Sequence, residues 1–289
     1  MSGAEVVVDG VRLGEGPVWR PDTGDLVCTS VCDGLLWRID TDRGAKEVLA
    51  DIGGGPNGAA LCRDGGLLVT QNGGIDYSKF PSAMFGEELP TRHATPGLQR
   101  VDPEGKVRYV ADDGFEAPND LAVAADGTVY FTDPGSFPPA DPPTGRVMAL
   151  DADGSVRTVA TGLWYCNGIA LDRDGRLVVI EGHGLRRLEP DGGRTWIVEK
   201  LGRGGGDGFC LDGEGRFYVA ATVDHGVRVV EPDGAVVELL SLSGHGVTTN
   251  CCFGGPDLRT LFATDAASGQ VVAWEAMPTA GIPLPTWAG

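Results

Sequence analysis

Six side chains with oxygen donors recur at one place in a repeated motif: Glu15, Asn57, Asn119, Asn167, Asp207 and Asn250. Each is a carboxylate or a carboxamide. Hard divalent cations prefer such oxygens, and two carboxylates among neutral amides balance a charge of 2+. A single Asn-Gly or Asp-Gly pair signifies only a turn, because these residues tolerate left-handed backbone. Six in register, two of them acidic and none replaced by Ser or Thr, point instead to donors that converge on a cation. Competing chemistries are absent. His93, His183, His225 and His245 are scattered, with no spacing that pairs them for zinc, and His183 and His225 read as solvated loop residues. There is no Gly-x-Ser-x-Gly elbow. Gly202-Arg203-Gly204-Gly205-Gly206 lacks the Lys-Ser/Thr and the helix of a phosphate loop and reads as the flexible entry to Asp207. Glu181, closing the apolar run Leu177–Ile180, is a candidate supporting carboxylate.

Convergence requires a scaffold that repeats. Each copy of the motif is a polar entry, a short strand, an acidic-glycine turn and a second strand, as in Cys166-Asn167-Gly168-Ile169-Ala170-Leu171 followed by Gly175-Arg176-Leu177-Val178-Val179. A second hairpin lies between copies, for example Gly145–Leu150 before Val156–Val159. Four short strands per copy make one propeller blade, and six blades closing a ring bury their faces against one another. The predicted fold is therefore all-β: a six-bladed β-propeller of four-stranded antiparallel blades, one domain over residues 1–289. The strand near Glu5–Asp9 is expected to complete the last blade beside Gly269–Trp274. Successive entry residues are 40 to 48 residues apart, except for the step of 62 from Asn57 to Asn119. The surplus places an insertion around residues 71–97, expected near the channel mouth, where propeller loops carry function.

Composition sets the surroundings. With 41 acidic and 23 basic side chains the chain carries a formal charge of −18, which repels nucleic acid and anionic lipid, so neither is an expected partner. No apolar segment approaches the roughly 18 residues of a membrane span, and no secretory signal opens the chain. The seven cysteines lie at irregular spacings, several inside apolar strand patterns, and read as reduced thiols of a cytoplasmic protein.

The entries Leu13-Gly14-Glu15-Gly16-Pro17-Val18-Trp19, Cys166-Asn167-Gly168-Ile169-Ala170, Gly206-Asp207-Gly208-Phe209-Cys210-Leu211-Asp212 and Thr248-Thr249-Asn250-Cys251-Cys252-Phe253-Gly254-Gly255 resemble the regucalcin/gluconolactonase/luciferin-regenerating family over nearly the whole chain. The resemblance implies a metal held by Glu15, Asn167 and Asp207, with Asn119 helping to hold metal or substrate; Asn57 and Asn250, at the same place in the motif, are expected on the substrate side. It implies a metal-dependent hydrolase that opens a lactone, a sugar lactone or related cyclic ester. The cation, one of Ca, Zn, Mn or Fe, would polarise the carbonyl as a Lewis acid, with Asp207 as base. One departure stands out. Sugar-lactone members carry an Arg two residues before the third-blade Asn, where this chain has Ala117, which suggests a different or less polar acyl group. The alternatives are a phosphotriester-type hydrolase and a non-catalytic metal-binding scaffold.

Overall fold

The computed structural model describes residues 3–79, 89–135 and 138–289. Residues 80–88 of the expected insertion, including Met84 and Phe85, lie outside the described residues. The chain forms six four-stranded antiparallel sheets, each a blade of a six-bladed β-propeller. Blade 1 comprises Gly14–Arg20, Asp25–Ser30, Leu35–Asp40 and Ala45–Asp51; blade 2 runs from Pro56–Leu61 to Val107–Ala111. Blades 3, 4 and 5 open with Leu121–Val123, Cys166–Leu171 and Phe209–Leu211. Blade 6 takes Thr248–Gly254, Thr260–Asp265 and Gln270–Trp274 and is completed by Glu5–Asp9, with Glu5 opposite Ala273 and Asp9 opposite Gln270. The expected closure strand is thus in place.

The first strand of each blade touches the first strands of both neighbouring blades, and Gly14–Arg20 closes the circle against Thr248–Gly254. Apolar packing follows from this arrangement. A strand sandwiched between two blades buries both faces, so its sequence is a continuous apolar run rather than an alternation. In Leu67-Leu68-Val69, Leu67 and Val69 join Val27 and Leu36 of blade 1, while Leu68 packs with Phe131 and Leu150 of blade 3. Leu26 and Cys28 face blade 6 through Phe262 and Val271, and Val27 faces blade 2. One such cluster fills every gap between blades.

A seventh cluster lies at the end of the propeller where the entry residues emerge. There Ile75, Tyr77 and Leu89, on the described flanks of the insertion, pack with Leu13 and Val31 of blade 1 and Val247 and Ala266 of blade 6. Arg92 ties the same segment down through the Asp33 carbonyl (2.6 Å) and the Asp51 carboxylate (2.9 Å). At the opposite end, residues 281–287 run from blade 5, where Gly281 bridges Asp212, to blade 2, where Trp287 bridges Cys62. Blades 2 and 5 stand three apart in a ring of six, so this strap crosses the axis. All seven cysteines are free thiols.

Candidate functional site

Interblade hydrogen bonds define how the entry residues line up. Gly58 donates its N–H to the Asn119 carbonyl (2.8 Å), Gly168 to that of Asp207 (3.1 Å) and Gly208 to that of Thr249 (2.8 Å). At Gly16 and Gly168 the backbones approach so closely that only glycine fits. A Cβ on Gly16 would lie 2.3 Å from the Asn57 carbonyl oxygen, and one on Gly168 2.4 Å from that of Asp207. Buried threonines secure the same carbonyls: Thr29 Oγ1 donates to Asn57 (2.8 Å), and Thr70 Oγ1 to Asn119. Glu15, Asn57, Asn119, Asn167 and Asp207 therefore share one level, as the repeat implied.

Blade 6 differs from the expected register. Its residue at this level is Thr249, and Asn250 stands one place further on, where blades 1, 2, 4 and 5 have glycine. The expectation that no Thr enters the ring is corrected accordingly. The reason is that Thr249-Asn250 offers two oxygen-bearing side chains in succession, and the hydrogen bond from Gly208 selects the first. Blade 3 makes the same substitution: Asp120 follows Asn119, and its N–H reaches Thr132 Oγ1 (3.1 Å) just as that of Asn250 reaches Thr264 Oγ1 (3.1 Å). Blades 3 and 6 face each other, so these two side chains meet across the axis. Asn250 Nδ2 donates to Asp120 Oδ2 (3.3 Å) and to Glu15 Oε2 (3.0 Å). Asp120 was not singled out from the sequence. Its signal was there, since Asn119 is the one member of the ring in blades 1 to 5 that no glycine follows.

Three acids now sit close together with no cationic partner among the described residues. Burial pushes the Glu15 carboxyl well up from its ordinary range, and the charges of Asp207 and Asp120 add to this. Burial likewise raises Asp207 to about 8, assisted by Asp120, while a hydrogen bond from Asn167 pulls the other way. Asp120 is raised by burial to about 7 against the lowering effect of Asn250. Negative charge concentrated in a low-dielectric site favours either protons or a cation.

The donor set fits a cation. The Oδ1 atoms of Asn57 and Asn119 are buried without a hydrogen-bond donor. Buried carbonyl oxygens are rarely left unsatisfied, and an acceptor without a donor is what a metal ligand looks like before the metal is bound. Among the described residues no group of three or more His, Cys, Asp and Glu is arranged around a metal position. The ring's donors are instead the carboxylates Glu15 and Asp207 with carboxamides, all of them oxygen.

A further set of side chains holds the entry loops. At the end of the second strand of blade 3, Asp133 accepts the N–H of Glu116 (3.2 Å) and of Ala117 (2.7 Å) and pairs with Arg146. Glu181 of blade 4 accepts the Trp164 N–H (3.0 Å) and pairs with Arg186 (2.6 Å). Asp265 of blade 6 accepts the Val247 N–H (3.0 Å), and Gln71 Oε1 of blade 2 accepts that of Gly55 (2.6 Å). Each tether lies two or three residues ahead of a residue in the ring. His225 is not solvated, contrary to the reading above: it is buried, with Nε2 3.0 Å from Asp265 Oδ2. Two shallow depressions, one along Thr158–Thr161 and Leu188–Arg194 and one around Asp172–Arg176 and Gly215, share no residue with the ring.

Comparison with known proteins agrees with this architecture. The pentonolactonase XacC of Haloferax volcanii is 29% identical over 281 residues, covering 92% of this chain and 86% of its own. The 6-deoxy-6-sulfogluconolactonase of Pseudomonas putida is 28% identical over 276 residues, covering 89% and 84%. The crystal structure of regucalcin, a calcium-binding protein from Agrobacterium tumefaciens, superposes with a TM-score of 0.79 at 20% identity, covering 99% of this chain and 97% of that one, and shares its fold. Residues 13–267, which span the ring from its first blade to its last, match the SMP-30/gluconolactonase/LRE-like region, and the chain belongs to that family.

Proposed function

We propose that this chain is a lactonase that opens a cyclic ester at the ring of Glu15, Asn119, Asn167 and Asp207, with a divalent cation as resident cofactor. The observation that carries the reading is the pair of buried, donorless carboxamide oxygens on Asn57 and Asn119, at the level that also carries two carboxylates. The relatives named as lactonases support the reaction class.

When bound, the cation supplies a Lewis acid for the ester carbonyl and offsets the carboxylate charge; all-oxygen donors favour a hard ion such as calcium or manganese. Glu15, Asn167 and Asp207 would hold it, and Asn119 and Asn57 would offer further oxygen donors or orient the substrate oxygen. Asp207, which keeps partial solvent exposure, takes the proton of the attacking water and delivers it to the departing ring oxygen, leaving a hydroxy acid. Asn167 orients the carboxylate that does this. Asn250 already donates to Glu15 and Asp120, so its part is to position those acids rather than to grip the substrate.

The test is a panel of lactones, aryl esters and organophosphates assayed with and without chelator, alongside metal content per chain. Lactone opening that chelator abolishes and added cation restores is expected. Chelator-insensitive turnover would remove the cation from the mechanism, and inertness towards every lactone would remove the enzyme.

A further inference from the structure

We infer that the rim between blades 4 and 5 is an apolar subsite that seats an aromatic or aliphatic substituent on the lactone, so that such substrates are favoured over polyhydroxylated aldonolactones. The inference rests on the lactonase reading above and adds the substrate class. The loop that leads to Asn167 carries Trp164, 43% exposed, and the turn after the second strand of blade 5, Phe217–Ala221, carries Val223, 56% exposed. The Trp164 indole lies over the Gly182 backbone, where a Cβ would come within 2.5 Å of it, and its ring centroid is 5.7 Å from that of His183. Gly205 abuts Gly182 and His183 in turn, and its neighbour Gly204 is covered by Val223. Trp164, His183 and Val223 thus form a continuous ridge. It runs beside the two ring residues that hydrogen-bond each other.

Tyr165, next in the chain after Trp164, is half-buried. Its backbone is left-handed, with φ at +46°, a conformation that a bulky residue keeps only where the surroundings demand it. The cations nearby are committed elsewhere: Arg203 to Asp224 (2.7 Å), Arg186 to Glu181 (2.6 Å), and Arg146 to Asp133. At the corresponding place before Asn119 the chain has Ala117. The strap 281–287 covers the opposite end of the axis, so a ligand reaches the ring from this face and passes the ridge.

Competition kinetics with γ-phenyl-γ-butyrolactone and glucono-δ-lactone test the inference. The wild-type protein is expected to favour the phenyl lactone about tenfold in kcat/KM. In Trp164→Ala that preference should fall about tenfold, mainly through KM, and in Val223→Ser by a smaller factor. A wild-type preference for the aldonolactone, or an unchanged ratio in both variants, overturns the subsite and leaves the lactonase standing. If no lactone is opened, the lactonase reading fails and calorimetry with the non-hydrolysable 5-phenyl-2-pyrrolidinone decides the subsite alone. Binding weakened in either variant supports it; no binding, or equal binding in all three proteins, overturns it.

Discussion

Asp207 and Glu15 belong to blades separated by blade 6, yet each raises the other's energy when both are charged, and Asp120 adds to the strain on both. Replacing Asp207 with Asn removes a partly buried carboxylate without changing shape. We expect a protein that melts within a few degrees of wild type and has lost lactone turnover by a factor of about 10² or more, read from kcat alongside the thermal melt. Glu15→Gln should act first on the cation, seen as metal content after exhaustive dialysis. The raised carboxyls also set a pH dependence. Between the unfolded range near 4 and the folded values of about 7 for Asp120 and about 8 for Asp207, the native state binds more protons than the unfolded one. In chelated protein these groups therefore remove stability as pH rises through that window, at up to roughly 1.4 kcal/mol per unit for each. Added cation should then raise Tm more at pH 8 than at pH 5; an equal or opposite gain would contradict the placement of these acids. Most of the ring was legible in the sequence, because a repeat converts equal position into equal height. Asp120 was not, since the pair Asn119-Asp120 scored as one ring residue, and the choice between Thr249 and Asn250 needed a hydrogen bond that no sequence displays.

The strands were legible for a simple reason: runs such as Leu177–Ile180 must be apolar on both faces to lie between two blades. The tethers of the entry loops were not, apart from the suspicion about Glu181. Asp133, Glu181, Asp265 and Gln71 hold backbone N–H groups 16 to 18 residues earlier in the chain, across a turn and two strands. Nothing in local pattern links them to the loops they secure. Asp133 is fully buried, accepts two N–H groups and faces Arg146. Truncation to Ala strands all three, and urea denaturation should show a loss of about 3 kcal/mol. Because Ala117 is tethered two residues before Asn119, residual activity in the surviving folded fraction should fall as well. A variant with wild-type stability would show that the tether is dispensable.

At the scale of the whole molecule, the strap of residues 281–287 and the completion of blade 6 by Glu5–Asp9 both join distant parts of the ring. Trp287 sits in the cluster between blades 2 and 3 with Cys62, Leu68 and Phe131. Trp287→Ala is expected to cost about 3 kcal/mol in chemical denaturation, with the ring chemistry retained in whatever remains folded. The strand Glu5–Asp9 has a consequence of another kind. Its partner lies 261 residues away, as the bond from Gln270 to Asp9 records. On the ribosome the first strand therefore emerges with its edge bare and stays so until nearly the entire propeller has been made. Five blades can stack as they appear, but the circle fastens only afterwards, and until then the nascent chain presents two open sheet edges to its neighbours.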